Sequence, residues 1–397
     1  MRFFKDLNLS AFTAGFVAVL VGFTSSVAIV FQAAQAFNAT PAQIASWMWA
    51  LGIGMGLCTV LPSLYYKKPI MVAWSTPGAA VLATAGIAGG FSMAEAVGAF
   101  MVSAALITLC GVTGWFEKVM TKIPVAIASA LLAGVLARFA LSGFTAAQTA
   151  LPLVLLMLLV YLVGKRFAPR YAVVVTLLAG IAYAALRGTL AWSTVSFTVT
   201  YPVFVMPQFT LAAVISLAIP LFVVTMASQN LPGVAAIQAT GYEGQIPVSK
   251  VITLTGLATL LLAPFGGFAL NLSAITAAIV MGKEAHADPD KRYTAAVSCG
   301  AIYLVIGVFG AAVTSLLAAF PKELVAAIAG LALLGTIGAG LAAAVKGEAH
   351  REAALITFLV TLSGVVIAGI GSAFWGVVAG ALALFVQQYA QAKTHNI

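Results

Sequence analysis

The chain of 397 residues is 62% hydrophobic and only 7% charged, with a mean hydropathy of +1.10. Soluble domains carry about 45–50% apolar and about 25% charged residues, so this is an integral membrane protein and not a cytosolic enzyme, a nucleic-acid-binding protein or a secreted disulfide scaffold. The formal charge of +9 lies in short basic clusters between apolar runs, where orientation in a bilayer accounts for it.

The opening Met-Arg-Phe-Phe-Lys-Asp leads into an apolar stretch that is too long for a signal-peptide core and has no clear cleavage site, so it reads as a first span. Uniformly apolar rather than alternating runs then predict helices, not barrel strands. The segments fall at roughly 11–37, 42–63, 76–88, 93–115, 123–141, 148–164, 171–187, 211–230, 247–263, 272–282, 293–319, 323–342, 353–370 and 373–391, about fourteen in all. The third and tenth are too short to cross alone. With the N-terminus cytoplasmic, sixteen of the 19 Lys and Arg fall on cytoplasmic ends and loops, leaving only Arg138, Arg187 and Lys322 outside. That asymmetry predicts an even number of spans with both termini inside.

The chain echoes itself at about half its length. Ile127–Gly134 resembles Ile328–Gly335, each soon after a proline, and Pro69-Ile-Met-Val-Ala-Trp-Ser-Thr-Pro-Gly78 corresponds to Pro264-Phe-Gly-Gly-Phe-Ala-Leu-Asn-Leu-Ser273. Seven spans per unit force the second unit to enter the bilayer from the opposite side, an inverted repeat. In each short segment proline and glycine predict an extended peptide dipping to mid-membrane. Ser75/Thr76 and Asn271/Ser273 would then cap half-helices whose positive N-terminal ends converge.

The spans carry no central Asp, Glu, Lys or His, so no carboxylate proton relay is visible. The polar material is neutral. Segment eight holds Ser228, Gln229 and Asn230 before Pro232, and segment one holds Ser25, Ser26, Gln32 and Gln35. The adjacent amides Gln229 and Asn230 face different sides and are expected to contact substrate, whereas Ser25 and Ser26 are as readily bonded back to their own helix. Trp74, in the first extended peptide, and Phe265 or Phe268, in the second, could wall a flat apolar ligand. Trp47, Trp49, Trp192 and Trp375 read as an interfacial belt. Arg138, near the outer end of segment five, is expected to snorkel outward; pointing inward, it would attract an anion at the outer vestibule. The outer loop 188–210 alternates with a strand-like period of two, and the charge run 283–292 reads as a solvated turn. Cys58, Cys110 and Cys299 lack ligand-like spacing and read as packing residues. No metal or cofactor site, ATP-binding loop or catalytic constellation is present, so a transporter or channel is expected rather than an enzyme or pump.

The stretches 69–78 and 264–273, with Ser228-Gln-Asn-Leu-Pro-Gly233 between them, resemble the benzoate transporter family of the BenE type over essentially the whole chain. The resemblance implies a benzoate/proton symporter of the bacterial inner membrane, related to uracil and nucleobase transporters, all-α, with fourteen spans as two inverted sevens (1–198 and 199–397). It further implies a core domain from spans 1–4 and 8–11 (about 11–115 and 211–319). A gate domain would come from spans 5–7 and 12–14 (about 123–187 and 323–391), with substrate between the two. Nucleobase transporters carry one glutamate in segment eight and another on half-helix ten. Here Gln229 stands at the first position and Asn271–Ile275 cover the second, with no acid. Loss of both acids suits a carboxylate anion, which wants donors.

The expected substrate contacts are therefore Ser75, Thr76, Pro77, Gly78, Leu270, Asn271, Leu272 and Ser273 at the two half-helix ends, with Gln229 and Asn230 as side-chain donors. Ser25, Ser26, Trp74, Ser228 and Phe268 would line the pocket. Expected partners are a small aromatic carboxylate, the lipid bilayer and, as an assembly to test, a homodimer. A proton is the expected coupling ion. The same scaffold carrying another anion or a nucleobase, or acting as an anion channel, is the alternative.

Overall fold

A computed structural model describes residues 3–24, 26–114, 116, 124–167, 172–190, 199–242, 244–273, 275–282, 285–310, 312, 320–367 and 372–394. Among the described residues the regular structure is helical apart from two short strands. In chain order the elements are α1 (Phe3–Asp6), α2 (Leu9–Thr24), α3 (Val27–Ala36), α4 (Pro41–Tyr66), β1 (Val72–Trp74), α5 (Thr76–Gly89), α6 (Met93–Thr113), α7 (Val125–Thr145), α8 (Ala147–Phe167) and α9 (Ala172–Leu186). The second half holds α10 (Leu211–Ala213), α11 (Ile219–Thr225), α12 (Leu231–Ala239), α13 (Val248–Leu262), β2 (Leu270–Leu272), α14 (Ile275–Met281), α15 (Tyr293–Val308), α16 (Lys322–Val345), α17 (Arg351–Ser363) and α18 (Ser372–Thr394). Five stretches among the described residues are long and apolar enough to cross a membrane by themselves, among them Pro41–Tyr66, Ala147–Phe167 and Leu211–Asn230.

Several segments differ from the sequence expectation, each for a local reason. The first is broken: α2 ends at Thr24, and Ser26, just before α3, turns its Oγ back to donate to the Gly22 carbonyl at 2.8 Å. Such back-bonding bends helices. α17 stops at Ser363 rather than running to 370, because Gly364 takes the left-handed conformation (φ 69) that closes a helix C-terminus. The eighth segment is one helical rod interrupted by two π turns, Val214–Ala218 and Met226–Asn230, each followed two residues later by proline (Pro220, Pro232). A proline ring clashes with the carbonyl four residues back, and the wider π turn carries that carbonyl away from it.

The outer loop forms no strand over its described part, 199–210; residues 191–198, with Trp192, lie outside the described residues. Its backbone is instead pinned to three other elements: Thr200 N–H donates to Val308, Val205 to Pro264 and Gln208 to Ala94. In the charge run Asp288, Asp290 and Lys291 are solvated as expected, but Arg292 is not. Arg292 is 6% exposed, and its guanidinium donates to the carbonyls of Met281 and His286, both at 2.8 Å, capping the C-terminus of α14. Trp47 is not a belt residue. It is 2% exposed and packs its ring against Phe100 and Phe268.

The buried apolar side chains form one large cluster and several small ones. The large cluster is drawn almost wholly from α2–α6 and from the stretch 213–303. A separate one joins Leu153, Met157 and Tyr161 of α8 to Leu324, Ile328 and Leu331 of α16, and two more link α7 to α16, α17 and α18. Within the large body, α4 and α15 cross so closely that a Cβ on Gly52 would lie 2.5 Å from the Gly307 Cα. Small residues there substitute backbone contact for a side-chain seam.

Candidate functional site

β1 and β2 pair antiparallel, with Val72 opposite Leu272, Ala73 opposite Asn271 and Trp74 opposite Leu270. The ladder extends symmetrically by one bond at each end. Ser75 N–H donates to the Ala269 carbonyl, and Ser273 N–H donates to the Met71 carbonyl, both at 3.0 Å. Ser75 and Ser273 are thus equivalent, an offset three residues longer than the one that matches Pro69 with Pro264. Threonines repeat the pattern on the flanking helices: Thr59 Oγ1 accepts from Val72 N–H at 3.2 Å, and Thr259 Oγ1 accepts from Leu270 N–H at 3.1 Å. A backbone with no water to bond is satisfied here by strand pairing and hydroxyls, as burial demands.

The crossing aims the first half-helix. Ser75 is fully buried and is the N-cap of α5, its Oγ accepting from Gly78 N–H at 3.0 Å and from the Thr225 hydroxyl at 3.0 Å. Gly78 is required at that position, since a Cβ there would meet Leu221 at 2.6 Å. Pro77, buried beside it, has no N–H. Among the described residues Thr76, half-buried, therefore carries the one N–H of this turn that the fold leaves unengaged. Ser75 and Gly78 were expected to offer their N–H groups to substrate; both spend them within the fold. On the other strand Ser273 Oγ accepts from the Thr276 hydroxyl at 2.6 Å, and Leu272 N–H goes to Asn230 Oδ1 at 2.9 Å. Leu270 and Leu272 are buried strand residues.

The amides of the second π turn separate as their adjacent positions require. Asn230 is fully buried and fully used, with Oδ1 on Leu272 and Nδ2 on the Met226 sulfur at 3.1 Å. Its expected role as a substrate donor is replaced by a structural one. Ser228 and Gln229 are half-buried, and among the described residues neither side chain has a hydrogen-bond partner. Asn271 gives its Nδ2 to the Ala269 carbonyl at 3.1 Å, while its Oδ1 is buried without a partner. A buried lone acceptor is rare in a native fold.

The expected pocket walls divide likewise. Trp74 donates its indole N–H to Ser26 Oγ at 2.9 Å and packs on Phe23, with ring centroids 5.5 Å apart. Phe268 does not face a ligand: it is fully buried between Trp47 and Phe100. Ser25 lies outside the described residues. Arg138, half-buried, lines a cavity between α3, α5 and α7. The π turn that turns Gln229 away from Asn230 was missed at sequence level, although Pro220 and Pro232 were its available signals.

A family described as "Benzoate membrane transport protein" matches residues 5–386. The chain belongs to this BenE family. It is 40% identical over 382 residues to the benzoate membrane transport protein of Acinetobacter baylyi, covering 96% of each chain. It is also 48% identical over 373 residues to the inner membrane protein YdcO of Escherichia coli K12, covering 94% of each. As a BenE-family member it is a membrane transport protein. Its fold resembles the transmembrane domain of the cyanobacterial bicarbonate transporter BicA, with a TM-score of 0.56, 15% identity and 96% of each chain covered.

Proposed function

We propose that the protein imports an aromatic carboxylate such as benzoate, together with a proton, across the bacterial inner membrane by alternating access. The observation that carries this reading is the β1–β2 crossing with the adjoining Met226–Asn230 turn, elements that carry unengaged polar groups and no acid. The Thr76 N–H and the Gln229 amide are donors suited to a carboxyl group, whereas a glutamate there would repel it. The unpartnered Asn271 Oδ1 supplies an acceptor for a carboxyl O–H. A substrate that crosses in its protonated form brings its own proton, so coupling needs no protein acid. The relative named as a benzoate transport protein supports the choice of acid.

The packing supports a division into two moving parts. The large apolar cluster is the core and the clusters of α7–α9 and α16–α18 are the gate, with α5 and the Met226–Asn230 turn meeting α7 between them. The mirrored bonds of Ser75 and Ser273 support two inverted units of seven spans. The basic residues, concentrated on one side, support cytoplasmic termini.

Uptake of radiolabelled benzoate into proteoliposomes tests the reading. Saturable uptake that an acid-outside gradient drives above equilibrium is expected. Uptake that saturates but ignores the gradient removes the proton, and no specific uptake by folded protein removes the substrate.

A further inference from the structure

A cavity of about 370 Å³ lies where α3, α5 and α7 meet, lined among others by Gln32, Gln35, Thr84, Ile87, Arg138 and Ser142. It is distinct from the crossing: Thr84 stands about 12 Å along the axis of α5 from Thr76 at about 1.5 Å per residue. Gln35, Ile87 and Ser142 are exposed, so the cavity opens at the protein surface. Its walls come from both bodies, Gln32, Gln35 and Thr84 from the core and Arg138 and Ser142 from the gate.

Arg138 gives this cavity its chemistry. Its guanidinium lies over Gly364, where any Cβ would overlap it, beside the negative C-terminal end of α17. That helix end accounts for the position of the side chain but does not satisfy it, for Nη1 is buried without a hydrogen-bond partner. A guanidinium cannot shed its proton, so the cavity wall carries a fixed positive charge, and an anion fits it best. The two glutamine amides supply further donors, and Ile87 an apolar edge.

We propose that this cavity is a second, peripheral site that captures a monocarboxylate by its anionic group at the outer mouth, before it reaches the crossing. Arg138 holds the carboxylate oxygens, Gln32 and Gln35 add side-chain hydrogen bonds, and the rest of the ligand lies toward Ile87. An anion held between Arg138 and the core amides also ties gate to core across the outer opening. The site rests on the transport reading for its ligand, but not for its electrostatics.

The test places a cysteine at the mouth, Ser142→Cys, in the full-length protein in vesicles; the native Cys58, Cys110 and Cys299 are buried. Labelling rates are compared for the anionic 2-sulfonatoethyl methanethiosulfonate and the neutral methyl methanethiosulfonate. The anionic-to-neutral rate ratio is expected to fall about tenfold when Arg138→Gln is added and to recover with Arg138→Lys. Millimolar benzoate is expected to slow labelling of Ser142→Cys but not of the Arg138→Gln double variant, and Arg138→Gln alone to raise the uptake KM about tenfold. A rate ratio indifferent to residue 138, in protein that still elutes as a single species, overturns the site. Anion preference without any benzoate uptake by the wild type keeps the site and overturns the substrate reading.

Discussion

The Oδ1 of Asn230 accepts the backbone N–H of Leu272 at 2.9 Å. Both groups are buried, and no other bond to that N–H exists among the described residues. The bond ties the second π turn to β2 and so holds the crossing against the eighth segment. Asn230→Ala leaves a buried N–H unsatisfied, at a cost of about 1–3 kcal/mol. A clear drop in the melting temperature of the detergent-purified protein is expected. Gln229→Ala, which breaks no bond of the fold, is expected to melt close to wild type.

Arg292 predicts a second stability effect. Its two charge-assisted bonds to Met281 and His286 are each worth about 1.5–3 kcal/mol, and removing the guanidinium strands two carbonyls. Arg292→Ala is expected to lower both folded yield and melting temperature, as read by fluorescence-detected size exclusion. Arg292→Lys is expected to recover only part of the loss, because a single ammonium cannot reproduce the forked geometry.

The α4–α15 crossing predicts a third. Backbone approaches backbone at Gly52 and Gly307, with no flexible side chain to give way. Gly52→Leu is expected to abolish the monodisperse elution peak, whereas Leu57→Ala on the exposed side of the same helix is expected to preserve it.

Much of this architecture can be read in the sequence because it depends on local chemistry. Pro69 and the 75–78 run Ser-Thr-Pro-Gly announce an extended peptide and a capped helix, and both are present. Other features depend on phase and neighbours. Gln229 and Asn230 are indistinguishable as residues; the π turn adds one residue to the helical count and decides which amide meets β2. Trp47 has the composition of a belt residue, yet it is enclosed by Phe100 and Phe268, which are far from it in sequence. Arg292 sits in a charge run, and only the fold brings the end of α14 to it. Pairing Pro69 with Pro264 aligned punctuation rather than the crossing itself, where serine matches serine.

Recognition of the carboxyl group at the crossing is tested most directly by equilibrium binding of radiolabelled benzoate to purified protein. Wild-type protein is expected to bind saturably and to be competed by benzoate but not by methyl benzoate, which has no O–H to donate. Gln229→Ala and Asn271→Ala are each expected to weaken binding about tenfold, or about 1.4 kcal/mol, with folding retained. Unchanged affinity in both variants, or equal competition by methyl benzoate, would contradict a carboxyl site between β1, β2 and the second π turn.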